Sequence, residues 1–255
     1  MRKPTIVFIH GAWHNYKCWN GVAEVLRADG IESVSLSLLS VGIRDTPLGS
    51  HIEDSQALHE KIKDIVEEGK DVIIVMHSYG GLAGSDAIEG LVKNGENGST
   101  QGGVVAAIYV SAFIAPKGEN LLGVFPSPPP YLKPNEENEA YLDIIDPHNT
   151  FYNDVSPEKS KTWTDAMKPH TAATFASNAQ YSPWEEVPCT YVMCTKDQGV
   201  YPELQEQMFS AAQNGAKHPW SLIKLDSSHS AWLSRKNTLA GIIKDVVDNL
   251  TITQL

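Results

Sequence analysis

Short runs of β-branched and aliphatic residues alternate along the chain with longer segments whose apolar positions recur at helical spacing. The runs predict strands at Thr5 to His10, Glu32 to Leu38, Asp71 to His77, Gly103 to Ser111, Cys189 to Cys194 and Ser221 to Leu225. The amphipathic segments predict helices at Trp19 to Ala28, Ile52 to Glu68, Gly80 to Lys93, Pro202 to Ala212 and Trp232 to Leu250. Such alternation implies an α/β fold: a mostly parallel sheet of about six strands with helices on both faces. In that architecture ligands collect at the carboxyl ends of the strands.

The alternation breaks between Ala112 and Val187. This stretch holds Pro126-Ser127-Pro128-Pro129-Pro130, an acidic patch from Asn135 to Asp143, and two short helix-like pieces starting near Ser156 and His170. It is too long for a plain loop and too poor in strand signal to extend the sheet. Residues 112–187 are therefore expected to form a helical cap inserted over the active end of the strands, with 1–111 and 188–255 as the core. The prolines read as a stiff cap hinge rather than as a ligand for a proline-binding domain. A polar loop from Asn94 to Gly102 joins a helix to a strand.

Composition narrows the function classes. The 255 residues suffice for one large domain, and a net charge of −11 would repel phosphate backbones and anionic lipid surfaces. No basic run with interleaved aromatics offsets that charge, so nucleic acid is not an expected partner. No apolar stretch approaches the ~20 residues of a membrane span. Met1-Arg2-Lys3-Pro4 leads straight into Thr5–Ile9, which is too short for a signal-peptide core, so the reading is cytoplasmic. Cys18, Cys189 and Cys194 are odd in number and lack C-x-x-C spacing, which does not suit a disulfide framework.

The chemistry concentrates at Val75-Met76-His77-Ser78-Tyr79-Gly80-Gly81. A buried strand that runs into a serine and then a helix lifts the hydroxyl above the sheet, and small residues let the backbones approach. Met76 stands where the G-x-S-x-G pattern has its first glycine. A serine needs a base, and the base needs an acid to orient it; in this architecture the chain order is Ser, acid, His. Of His148, His170, His218 and His229, only His229 follows a late strand directly. The loop after the preceding strand offers Asp197, with Asp226 as its rival. Backbone N–H groups for an oxyanion are expected from Ala12, at the end of the first strand, and from Tyr79. Gly11 would allow close approach there, and His10 would pin the loop by hydrogen bonds.

Ile9-His10-Gly11-Ala12-Trp13-His14, Trp19, His77-Ser78-Tyr79-Gly80-Gly81, Asp197 with Tyr201-Pro202-Glu203-Leu204-Gln205, and His229 together resemble the α/β-hydrolase superfamily. The nearest branch includes the plant methyl-ester esterases and hydroxynitrile lyases. The resemblance spans nearly the whole chain and is weak in the cap. It implies a triad of Ser78, Asp197 and His229 with Ala12 and Tyr79 as oxyanion donors. Lyases of this branch carry a threonine after the first-strand histidine and a lysine after the catalytic one, where this chain has Gly11 and Ser230. The departures favour hydrolysis of a carboxylic ester or lactone.

No cofactor is expected: the fold's chemistry needs none, and no Gly-rich phosphate loop follows a strand. His10 and His14 are four apart but not on a helix, so no metal site is expected. Trp13, His14, Phe113, Tyr131, Trp163, Trp184 and Trp232 are candidate walls of an apolar or aromatic acyl or alcohol pocket under the cap. Two other readings stay open at this level: a small-molecule receptor with a hydrolase shape, and a lyase or cyclising enzyme that uses the same base. An exposed face of the cap or the last helix could support a homodimer.

Overall fold

The computed structural model describes residues 3–93, 102–125, 127–218 and 220–253; the loop at 94–101 and Pro126 of the proline stretch lie outside them. The first half of the core comprises β1 (Thr5–Ile9), α1 (Asn20–Ala28), β2 (Ser33–Leu36), α2 (Ile52–Glu67), β3 (Asp71–His77), α3 (Gly80–Ala87) and β4 (Gly103–Val110). An insertion follows with α4 (Leu121–Val124), β5 (Leu132–Pro134), β6 (Tyr141–Ile144), α5 (Pro147–Phe151), α6 (Pro157–Asp165) and β7 (His170–Thr171). The chain then returns to the core through β8 (Cys189–Cys194), α7 (Pro202–Gly215), β9 (Ser221–Leu225), α8 (Ala231–Ser234) and α9 (Lys236–Thr253).

Six strands form one parallel sheet in the order β2-β1-β3-β4-β8-β9. β1 and β8 are buried throughout and β3 everywhere but at Asp71, as expected of apolar runs covered on both faces. The edges are more polar: β2 carries Ser33 and Ser35, and β9 exposes Ser221 and Lys224. From β1 the chain steps to β2 on one side and from β3 outward to β9 on the other. The strand order therefore reverses between β1 and β3, and the crevice at their carboxyl ends is where such sheets bind ligands.

Several boundaries differ from the sequence expectation for local reasons. The helix expected to run to Lys93 stops at Ala87; Gly90 turns at φ +76° and Val92 bridges to Val104, so its tail lies beside β4. The last expected helix is divided into α8 and α9 at Arg235, whose φ of −129° is not helical. Before α1, Tyr16–Trp19 forms a 3₁₀ turn capped by the Asn15 side chain.

The insertion holds both helices and strands. Ser156 caps α6 as its sequence suggests, but His170 begins β7 and a 3₁₀ turn rather than a helix. β5, β6 and β7 make a small antiparallel sheet that stands apart from the main one. Strands of two to four residues show no readable alternation, which is why the sequence predicts helix alone. This small sheet is fastened to the core loop after β2: Thr171 N–H donates to Ser40 O and Gly42 N–H to Pro169 O. Among the described residues, no helix is long and apolar enough to cross a membrane.

Candidate active site

β3 ends at His77, and Ser78 turns the chain into α3 at φ +54°, a left-handed conformation that a non-glycine residue adopts at a cost. The turn is braced by the Ser78 carbonyl, which accepts from Gly81 N–H at 2.9 Å and Phe113 N–H at 3.0 Å. Close approach is obligatory on both sides. A Cβ on Gly80 would lie 2.5 Å from the His10 carbonyl oxygen, and one on Gly11 would lie 2.7 Å from the Ser78 Cβ.

His229 lies in the loop between β9 and α8, and Asp197 in the loop after β8. Both are buried, and His229 Nδ1 donates to Asp197 Oδ2 at 2.8 Å. That bond places the ring proton on Nδ1 and leaves Nε2 as the base. Among the described residues no Lys or Arg stands beside the carboxylate, which is compensated by donors instead. Its Oδ1 accepts from Gly199 N–H at 2.7 Å and Val200 N–H at 2.8 Å, and Oδ2 also accepts from Gln205 Nε2 at 3.2 Å. The His229 loop is held by its neighbours: His77 Nε2 donates to His229 O at 2.9 Å, and Ser230 N–H to Phe151 O at 3.1 Å. Asp226, the rival acid, instead pairs at the surface with Lys196 and Arg235.

One member of the site escapes sequence reasoning. Ser111, directly after β4, is fully buried at φ +44°, and its hydroxyl donates to Asp197 Oδ2. Its Oγ lies 3.2 Å from His229 Nδ1. A serine activated for attack must meet the nitrogen that the acid leaves free, so Ser111 stands on the acid side of the ring. Ser78 and His229 both line the cleft beneath the insertion.

The loop after β1 is pinned by its two histidines. His10 Nδ1 donates to Gly11 O at 2.8 Å while Nε2 accepts from Leu38 N–H at 3.2 Å. His14 Nδ1 donates to Ala12 O at 2.8 Å and Nε2 accepts from Tyr152 OH at 2.7 Å. Burial penalises the charged rings and lowers their pKa values to about 4 and about 3. With both nitrogens engaged, neither ring offers a free ligand to a metal. Ala12 and Tyr79 line the cleft, and among the described residues neither backbone N–H meets an acceptor. Tyr79 is fixed by its hydroxyl, which donates to Asp54 Oδ2 at 2.7 Å.

The cleft is walled by Trp13, Phe113, Tyr131, Phe151 and Phe175, with Leu121 beside them. Trp13, Phe113 and Tyr131 thus lie where the sequence places them. The other four candidate wall residues do not reach it. His14 turns behind the loop to Tyr152; Trp163 and Trp232 meet edge to face with ring centres 4.8 Å apart; Trp184 packs on Trp220 at 5.9 Å. Phe151 and Phe175, absent from the expected set, come from the insertion, where periodicity is least readable. Phe151 also faces the His229 ring at 4.9 Å.

A buried acid–histidine pair and a left-handed serine at a strand-to-helix turn, both serving an apolar cleft, is the arrangement of a serine hydrolase. Known proteins are similar to this chain along nearly its whole length. The chain is 27% identical over 248 residues to alpha/beta hydrolase nvfD of Aspergillus novofumigatus, covering 96% of this chain and 97% of that protein. It is 26% identical over 278 residues to Methylesterase 18 of Arabidopsis thaliana, covering 98% and 100%. Among solved structures, a pyrethroid hydrolase from Sphingobium faniae superposes with a TM-score of 0.72 at 22% identity, covering 96% of this chain and 97% of that one. The alpha/beta hydrolase family is matched over residues 6–240, from the first strand to the last helix, and the chain belongs to that family.

Proposed function

We propose that the protein hydrolyses a carboxylic ester or lactone through an acyl-enzyme on Ser78. The observation that carries this reading is the commitment of His229 Nδ1 to Asp197, which leaves Nε2 to serve Ser78, the one strand-end serine among the described residues that lines the cleft. Ser78 Oγ attacks the carbonyl carbon while its proton passes to His229 Nε2. The oxygen of the tetrahedral intermediate is met by the backbone N–H groups of Ala12 and Tyr79. Collapse expels the alkoxide, which takes the proton from His229. A water molecule then gives its proton to Nε2 and attacks the acyl carbon; collapse breaks the bond to Ser78 Oγ, which takes the proton back from Nε2 as the acid leaves. Asp197 remains ionised throughout, orienting the ring and stabilising the imidazolium.

The walls of the cleft support a narrower substrate class. They are aromatic and aliphatic, with no Lys or Arg among the described lining residues, so a neutral apolar or aromatic ester of small size is favoured over an anionic one. Similarity to a methylesterase supports ester chemistry. Gly11 and Ser230, where cyanohydrin-cleaving lyases carry threonine and lysine, support hydrolysis. Three free, buried cysteines suit a reducing compartment, in keeping with a cytoplasmic setting.

The test is a fluorophosphonate probe applied to the purified protein, the adduct located by mass spectrometry, followed by a screen of neutral esters and lactones. Stoichiometric labelling at Ser78 that Ser78→Ala and His229→Ala abolish is the expected result. A folded protein that takes no label would overturn the reading and leave a binding protein of hydrolase shape.

A further inference from the structure

Ser111 is not part of the chemistry just described, yet it has an unusual backbone, complete burial and a bond to the catalytic carboxylate. From these observations we infer that Ser111 is a positioning residue that fixes the Asp197 carboxylate and, through it, the aim of the His229 ring. The inference rests on Ser78 as the attacking group.

The sheet order explains why the residue can do this. β4 lies between β3, which delivers Ser78, and β8, which delivers Asp197. The end of β4 is thus the point of the fold that can reach the acid from the nucleophile's side of the sheet. Ser111 is anchored there by its N–H, which donates to Val192 O at 2.9 Å across the β4–β8 pair. Its Oγ, His229 Nδ1 and Asp197 Oδ2 close a triangle: the hydroxyl and the ring N–H share one carboxylate oxygen, and Oγ lies 3.2 Å from the ring nitrogen.

The backbone makes the same point. At φ +44° glycine would be at ease, and a side chain is accommodated only with strain. A glycine here would relieve the backbone and lose the hydroxyl. The other left-handed serine, Ser78, is at the end of the adjacent strand. Two serines with like backbone conformation therefore serve the same imidazole, one from the cleft and the other from the acid side. The two oxygens of Asp197 are fixed differently. Oδ1 is held by two loop N–H groups, whereas Oδ2 depends on side chains, of which Ser111 is the one based on the sheet.

The mutation pair Ser111→Gly and Ser111→Ala separates positioning from folding, because glycine suits the left-handed backbone. The readout is the rate of fluorophosphonate labelling against pH, with the adduct site mapped and folding followed by thermal melting. We expect S111G to melt no lower than the parent and to be labelled at Ser78 about tenfold more slowly, since a hydrogen bond to a charged group is lost. The acidic limb of its profile should move to higher pH, because removal of a donor leaves more carboxylate charge acting on the ring. Parental rate and profile in S111G would overturn the inference while leaving Ser78 as nucleophile. An adduct on Ser111 itself, or none at Ser78 in the folded parent, would overturn the Ser78 assignment and the inference with it.

Discussion

Met76 occupies the space that Gly84 leaves open: a Cβ on Gly84 would lie 2.7 Å from Met76 Sδ and 2.8 Å from Ile9 Cδ1. The bulky residue two before Ser78 is thus accommodated by a bare backbone one turn into α3, and the serine turn keeps its left-handed geometry. Gly84 within a helix would otherwise be destabilising by about 1 kcal/mol relative to alanine. Here the order is reversed. Gly84→Ala should destabilise the protein by about 1–3 kcal/mol through overpacking. In a Met76→Ala background the same substitution should destabilise less, because only Ile9 Cδ1 still stands in the way and the vacated space lets it move aside. Denaturant unfolding of the four proteins of this double-mutant cycle checks the coupling, and additive effects would refute the compensation.

Gly11→Ala is expected to impair activity while the protein still folds. Its Cβ would meet the Ser78 Cβ at 2.7 Å and Oγ at 3.2 Å, so Ser78 or the loop that carries Gly11 and presents Ala12 must shift by tenths of an ångström. A 1 Å misplacement can cost about 10²-fold, so this smaller shift should lower kcat/KM by about tenfold. Steady-state kinetics on any ester found in the screen, paired with circular dichroism, would show the loss without unfolding. Unchanged kinetics would mean that the two loops are not held in contact during turnover.

Asp197→Asn should leave the site assembled but stabilise the wrong tautomer of His229, lowering kcat by about 10⁴-fold. Asp226→Asn removes only exposed ion pairs to Lys196 and Arg235 and should change kcat less than twofold. Comparing the two variants distinguishes the acids directly. A large effect at Asp226 would reverse their assignment.

Ser78, Asp197 and His229 are legible in the sequence because each follows an apolar run, and chain order then restricts the choice. Their legibility is that of the parallel sheet itself, whose buried strands read as unbroken hydrophobic runs. Ser111 ends a strand just as plainly, but neither its φ nor its bond to Asp197 leaves any mark in the residue pattern. The cleft walls divide in the same way. Trp13 and Phe113 adjoin core strands and can be placed, whereas Phe151 and Phe175 belong to the insertion, whose elements are short. Trp163, Trp184 and Trp232 show why aromatic content alone does not locate a pocket: each satisfies its packing against another tryptophan. Gly84 is a readable signal of the compensation for Met76, since a glycine inside the helix that follows Ser78 marks a close approach.

The buried histidines make stability depend on pH in a definite direction. His10, with a pKa lowered to about 4, and His14 and His170, each lowered to about 3, are held neutral chiefly by burial; His77 is pushed down for the same reason. In the unfolded chain these rings take up protons near pH 6.5. Above that pH both states are neutral and the fold retains its full stability. As pH falls from about 6.5 towards 4 the unfolded state binds protons that the folded state refuses, so stability decreases, by up to about 3 kcal/mol for each ring. Asp54, whose carboxyl is raised by burial, opposes the trend but is a single group. Three or four rings acting together rival the 5–15 kcal/mol that a typical domain possesses, so cooperative unfolding is expected around pH 5. His170 is the residue to test, because its ring is stacked on Phe175 at 4.8 Å and edges onto Tyr79 at 4.5 Å, surroundings that a phenyl group would suit. His170→Phe gives up the bond to Thr174 and changes stability at pH 7.5 by about 1 kcal/mol, while removing one proton-uptake site. Acid titration followed by circular dichroism should therefore place its midpoint at lower pH than that of the parent. A midpoint that stays fixed, or moves upward with neutral stability unchanged, would show that the ring is not what limits the fold in acid.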